Sequence, residues 1–171
     1  MNGLRSQLNH PGIMDTIPVL NHMLWKAYST KKDDDITATR VQKLLYFLHG
    51  WYTTITGAPL LDESFVRGKY GPVLPSLEAE LARYAGRPID VYVEQYNSDT
   101  GTMAPFFVNL KTVPQFGEIL DAVWKQYSQL TTIQLSSLIH MPDSPWDQTE
   151  AGRAISTAAI VADFNRRAIG N

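Results

Sequence analysis

The chain contains no cysteine. Disulfides, thiolate nucleophiles and zinc sites built on sulfur are thereby excluded. An excess of either charge is also missing: 15 Lys and Arg against 17 Asp and Glu leave a net charge of −2. No global field therefore draws the chain to nucleic acid or to an anionic membrane. No run approaches the roughly 20 apolar residues of a membrane span. The opening residues, MNGLRSQLNHPGIMDT, lack the apolar stretch of a signal peptide. These absences predict a soluble, cytoplasmic protein without membrane contact.

Catalytic signatures are absent too. There is no G-x-S-x-G, no GxGxxG and no GxxxxGK[ST]. Asp62 and Glu63 are adjacent, so their side chains diverge, whereas a glycosidase needs two carboxylates converging across the bond. The four histidines, His10, His22, His49 and His140, form no H-x-x-x-H or H-E-x-x-H pair. The sequence therefore predicts no metal, no cofactor and no catalytic residue. It assigns the histidines structural roles, with His140 capping the end of a helix.

What is present is helical periodicity along 171 residues, 44% of them hydrophobic, enough for one domain with a real core. Residues 1–16 show no period and read as a flexible tail; residues 17–171 read as the domain. A first helix is expected from Ile17, with Pro18 at its first position and Leu20, Met23, Leu24 and Ala27 on one face. A polar loop, STKKDDD, follows. Thr37 reads as the N-cap of the strongest helix, TRVQKLLYFLHGWYTTIT, stopped by Gly57. Val41, Leu44, Leu45, Leu48, Tyr52 and Ile55 form its apolar stripe, while Gln42, Tyr46, His49 and Thr53 form a polar and aromatic face. A helix of that kind is expected to be central, touched on both sides.

Next comes an extended segment ending in KYGPVLPSL, residues 69–77, then a short helix starting at Pro75 with Leu77, Leu81 and Tyr84 inward. IDVYVEQY and TMAPFFVNL flank the turn NSDTG and predict a small β-hairpin. Phe116, Ile119, Leu120, Val123, Trp124 and Tyr127 keep helical spacing after Pro114. Thr131 and Gln134 match a capping box. HMPDSPWDQ reads as a loop, and residues 156–164 as the last helix. The expected fold is mainly α: a compact single-domain helical fold with a small β-hairpin inserted.

Arg67, Lys69, Arg83 and Arg87 gather near the Tyr-Gly-Pro-Val segment, with Arg40 and Lys43 on the central helix. Such a cluster reads as a solvated face, or as a docking surface for an acidic partner. Nucleic acid ranks third, because no recognition-helix pattern accompanies the charges. Trp51, Trp124, Trp146 and the eight tyrosines are expected mostly in the core.

Three stretches carry a resemblance: ITATRVQKLLYFLHGWYTTITGAPLLDESF, KYGPVLPSLEAELARYAGRPI and LSSLIHMPDSPWDQ. Together, in this order, they resemble the Panacea domain, the family of SocA-like and GepA-like antitoxin and phage-associated proteins. Gln42, Lys43, Tyr46, Tyr70, Gly71, Pro72, His140 and Trp146 fall in its motifs. The family usually has Ala-Trp where this chain has Arg67 and Gly68. The resemblance implies a mostly helical, non-enzymatic antitoxin that neutralises a cognate protein toxin by direct contact. SocA-like members act instead as adaptors that deliver the toxin to a protease. On this reading Gly71 and Pro72 form a structural corner, and Arg67, Lys69, Tyr70, Arg83 and Arg87 form the partner-binding surface beside it. Two readings from other classes remain open: an enzyme with a pocket near Tyr46, His49, Tyr70 and His140, and a DNA-binding autorepressor.

Overall fold

The computed structural model describes residues 14–32 and 35–170. The expected tail is thus outside it up to residue 13, together with His10 and residues 33–34 of the polar loop. Among the described residues there are seven α-helices and two two-stranded antiparallel sheets. The fold is mainly α, as expected.

Helix α1 (Thr16–Ser29) begins at Thr16, so Pro18 occupies its third position rather than its first. That is still inside the first turn, where no backbone N–H is needed. Helix α2 (Ala38–Thr56) is capped by the Thr37 side chain, which accepts from Arg40 N, and ends at Gly57 with φ of 75°. Its stripe from Val41 to Tyr52 is buried, and so are Gln42, Tyr46, His49 and Thr53 on the other face. Helix α1, the strand Gly71–Val73 and the later helices Pro75–Leu81, Pro114–Tyr127, Thr132–Ile139 and Thr157–Ile169 all pack on it. Ile55 departs from the expectation and is 58% exposed.

Strands β1 (Val66–Gly68) and β2 (Gly71–Val73) form a tight ribbon that the sequence reading had as an extended segment. Helix α3 (Pro75–Leu81) follows with Pro75 at its start, and a 3-10 turn, Ala82–Tyr84, closes it. The expected hairpin is present but short, as β3 (Glu94–Asn97) and β4 (Thr102–Pro105). Its flanks are diverted to a side chain: Asn21 Nδ2 donates to Val93 O and Phe106 O, and Asn21 Oδ1 accepts from Val93 N.

Helix α4 (Pro114–Tyr127) buries all six residues of its expected stripe. Helix α5 (Thr132–Ile139) has the capping box of Thr131 and Gln134. The stretch expected as a loop contains a one-turn helix, α6 (Pro145–Gln148), whose N-cap Ser144 accepts from Asp147 N. Helix α7 (Thr157–Ile169) runs beyond the expected end at Phe164.

The helices close on one aromatic centre. Phe47 stacks on Tyr127 at 4.1 Å, and Phe164 of α7 packs edge-on against Tyr46, Phe47 and Trp51. Arg167 lies over Phe47 and Phe164 and pairs with Asp163 at 2.8 Å, while donating to Leu138 O of α5. Arg40, expected in the basic cluster, is instead 3% exposed and donates to Ser128 O and Leu130 O just past α4. The guanidinium supplies donors to carbonyls that the helix end leaves unpaired.

Gly50 is where α2 and α7 meet, and a Cβ there would run into the Phe164 ring. Gly50→Ala is expected to destabilise the fold by about 1–3 kcal/mol through overpacking. Adding Phe164→Leu should recover part of that loss in thermal melts. Strictly additive losses would show that the ring is not what Gly50 accommodates.

Candidate functional site

The motif residues that the sequence scatters over about a hundred positions meet at the β1–β2 corner. Two come from the first turns of α2. Gln42 Oε1 accepts from Leu74 N at 2.9 Å, and Lys43 Nζ donates to the carbonyl of Tyr70. Lys43 is only 2% exposed. Among the described residues no carboxylate pairs with it, and burial holds its ammonium below the ordinary lysine range.

That short approach dictates the next residue. Gly71 has φ of 134°, a backbone that side chains rarely adopt, and a Cβ there would stand 2.8 Å from Lys43 Nζ. Gly71 and Pro72 are both buried, whereas Tyr70 is 67% exposed. Lys69 Nζ lies 5.2 Å from the Tyr70 ring. The corner therefore has a fixed backbone and an outward-facing Lys-Tyr tip.

The other side of the ribbon is held by α6. Trp146 Nε1 donates to Gly68 O at 3.0 Å, and the His140 ring stacks on the Trp146 indole at 3.9 Å. His140 was expected to cap helix carbonyls with its side chain. Its backbone does end α5, but its ring serves the stack, and Nε2 is buried without a partner. Burial, then the charges of Lys43 and Arg67, hold it below the ordinary histidine range.

The expected basic surface is largely occupied by the chain's own groups. The Arg67 guanidinium lies 4.3 Å over the Trp146 ring and donates to Asp147 O and Thr149 O. Arg83 pairs with Glu80 at 3.1 Å, and Arg87 donates to Tyr84 O and Arg83 O at the end of the 3-10 turn. Lys69 and Tyr70 face outward at the ribbon tip, and Arg83 and Arg87 stay exposed beside α3 despite these contacts. Gly68, which stands where the family usually has Trp, is also constrained: a Cβ there would stand 2.8 Å from Gly71 O. In this backbone the ribbon has no room for a side chain at that position.

A Tyr46, His49, Tyr70 and His140 pocket does not form. Tyr46 is buried against Phe47, Phe65 and Phe164, whereas Tyr70 projects from the ribbon. His49 borders a separate hollow of about 280 Å³ with Asp62, Glu63 and Phe65. Asp62 and Glu63 do not work as a pair there. Glu63 bonds Thr16 Oγ1 and Ser76 N, and burial followed by the Asp15 carboxylate holds Asp62 above the usual carboxylate range. Among the described residues no group of three or more His, Asp or Glu could hold a metal ion. No helix among them is long and apolar enough to cross a membrane.

The described residues define a mainly α protein with one ribbon corner held by α2 on one side and α6 on the other. The chain belongs to the family described as antitoxin SocA-like, Panacea domain, whose model matches residues 41–147. That span runs from the first turn of α2 into α6 and includes the contacts that Gln42, Lys43, His140 and Trp146 make at the corner. The chain is similar to Antitoxin SocA of Caulobacter vibrioides (strain NA1000 / CB15N), with 28% identity over 137 residues, 80% of this chain and 71% of the relative. No solved structure matches.

His49 generates a pH prediction. It is 3% exposed, Nδ1 has no partner, and burial lowers its pKa to about 4. Between about pH 6.5 and 4 the unfolded chain binds a proton at this residue that the folded chain does not. Stability should therefore fall as pH drops through that window, by up to about 3 kcal/mol, and level off below it. Denaturant melts of the wild type and His49→Phe measure this. The variant should show a flatter pH profile, and equal slopes would remove His49 as the cause.

Proposed function

We propose that the chain is an antitoxin that neutralises a cognate protein toxin by direct contact, with Lys69 and Tyr70 at the tip of the β1–β2 ribbon as the centre of the contact surface. One observation carries the reading. A large aromatic side chain, 67% exposed, projects from a backbone fixed by Lys43, Gly71 and the ribbon pairing. Exposed tyrosines on rigid supports are the residues that interfaces use as anchors, because little conformational entropy remains to be lost on binding. The name of the relative, an antitoxin, supports the same direction.

The basic residues divide by role on this reading. Lys69 is the exposed cation that meets an acidic partner. Arg67 orders the ribbon against α6, and Arg83 and Arg87 set the rim beside α3. Rim charges act mainly on association rate, and the anchor acts on dissociation. Catalysis plays no part.

Co-expression with a candidate protein toxin tests the proposal. Tyr70→Ala combined with Lys69→Glu should abolish growth rescue and lower affinity in a pull-down by roughly tenfold or more. The melting temperature should stay unchanged, since both side chains are exposed. Full rescue with unchanged affinity would place the contact surface elsewhere.

A further inference from the structure

Beside the ribbon tip lies a cleft of about 250 Å³ between the first turns of α2 and the β1–β2 ribbon, lined by Ala38, Thr39, Lys43, Tyr70 and Gly71 among others. Its charge is one-sided. The Lys43 ammonium has three donors, and Tyr70 O is its hydrogen-bond acceptor among the described residues. Ala38 and Thr39 open α2, a 19-residue helix with no acidic residue in its first turn, so the positive end of the helix dipole lies beside the cleft. Lys69 also lines the cleft. Glu78 is the one carboxylate on its wall, and it pairs with neither Lys43 nor Lys69.

A buried cation without a counter-ion is costly, and an anion delivered to it recovers much of that cost. The cleft has room for a side chain rather than for a nucleic-acid strand. Tracking phosphates requires a row of cations along a groove, and Lys43 and Lys69 are the only cations that line this cleft among the described residues.

We infer that this cleft is the receptor for a single carboxylate of the partner protein, an Asp or Glu side chain from an acidic segment, seated on Lys43 Nζ at the positive end of α2. The inference rests on the toxin-binding reading for its biological use, but not for its chemistry. Tyr70 and Lys69 then engage the flanks of the segment while Lys43 selects its charge. A partner with Asn or Gln at that position would leave the ammonium unmatched, so the cleft acts as a specificity filter.

The test needs no toxin at first. The isotope-labelled full chain is titrated by NMR with the capped peptide acetyl-Gly-Asp-Gly-amide, and separately with its Asn counterpart. The Asp peptide should give saturable shifts confined to the amides of Ala38, Thr39 and Gly71, and the Asn peptide should give none. Lys43→Met, which keeps the buried stem, should weaken the Asp peptide by about tenfold or more. Equal shifts with both peptides, shifts elsewhere, or tighter binding of a DNA oligonucleotide at the same amides would overturn the inference. The wild-type titration decides even where the variant melts early.

With the co-expressed toxin, zero-length carbodiimide coupling should join Lys43 or Lys69 to a toxin Asp or Glu. Binding of the Asp peptide without any toxin complex would leave the cleft standing and remove the antitoxin reading. A toxin complex sensitive to Tyr70 but indifferent to Lys43→Met would do the reverse.

Discussion

A lysine ammonium inside the protein is the constraint around which the corner is organised. Lys43 sits on α2, the helix on which five other helices and β2 pack, and it is 2% exposed. Taking such a charge out of water costs several kcal/mol unless polar groups meet it. The carbonyl of Tyr70 does so. For that carbonyl to point inward, the next residue must adopt φ of 134° and must lack a Cβ. Gly71 satisfies both demands at once. Gln42, one residue before the lysine, takes the N–H of Leu74 on the other flank of the same turn. Two adjacent side chains of α2 thus hold both sides of the corner.

The remaining contacts follow from keeping that corner in place. The ribbon has only three residue pairs, too few to stand alone. It is braced from outside by Trp146, by the backbone bonds between Arg67 and residues 152 and 153, and by Ile155 N donating to Phe65 O. His140 and Arg67 both lie against the indole. One consequence is functional: the side chain that faces outward at the tip, Tyr70, is carried by a backbone with little freedom to move. A surface of that kind recognises a partner with a small ordering cost.

Much of this was legible in the sequence, and the reasons differ from one element to the next. Helices α2 and α4 were readable because a local period of 3.6 reports burial directly. The two-sided burial of α2 followed from aromatic and polar residues that shared its second face. The corner was readable as a corner, since Gly71 and Pro72 announce special backbone. Why Gly71 is required was not readable, because the atom that fills the place of its Cβ belongs to Lys43, in another element. Arg67 and Arg40 looked like free surface charges for the same reason: main-chain carbonyls leave no composition signal. Helix α6 did leave one. Ser144 followed by Pro145 and Asp147 is an N-cap pattern, hidden within a stretch whose prolines suggested only a loop.

The central claim is that Gly71 is scaffold, present so that Lys43 can bury its ammonium against the Tyr70 carbonyl. Thermal melting of Gly71→Val tests it most directly, read beside the rescue assay that tests the proposed function. Strain at positive φ of about 1–3 kcal/mol corresponds to a fall of roughly 2–12 °C for a chain of this size. The account predicts that fall, with rescue lost in proportion. A variant that melts like the wild type while losing only its biological activity would contradict it, and would make Gly71 part of the contact surface itself.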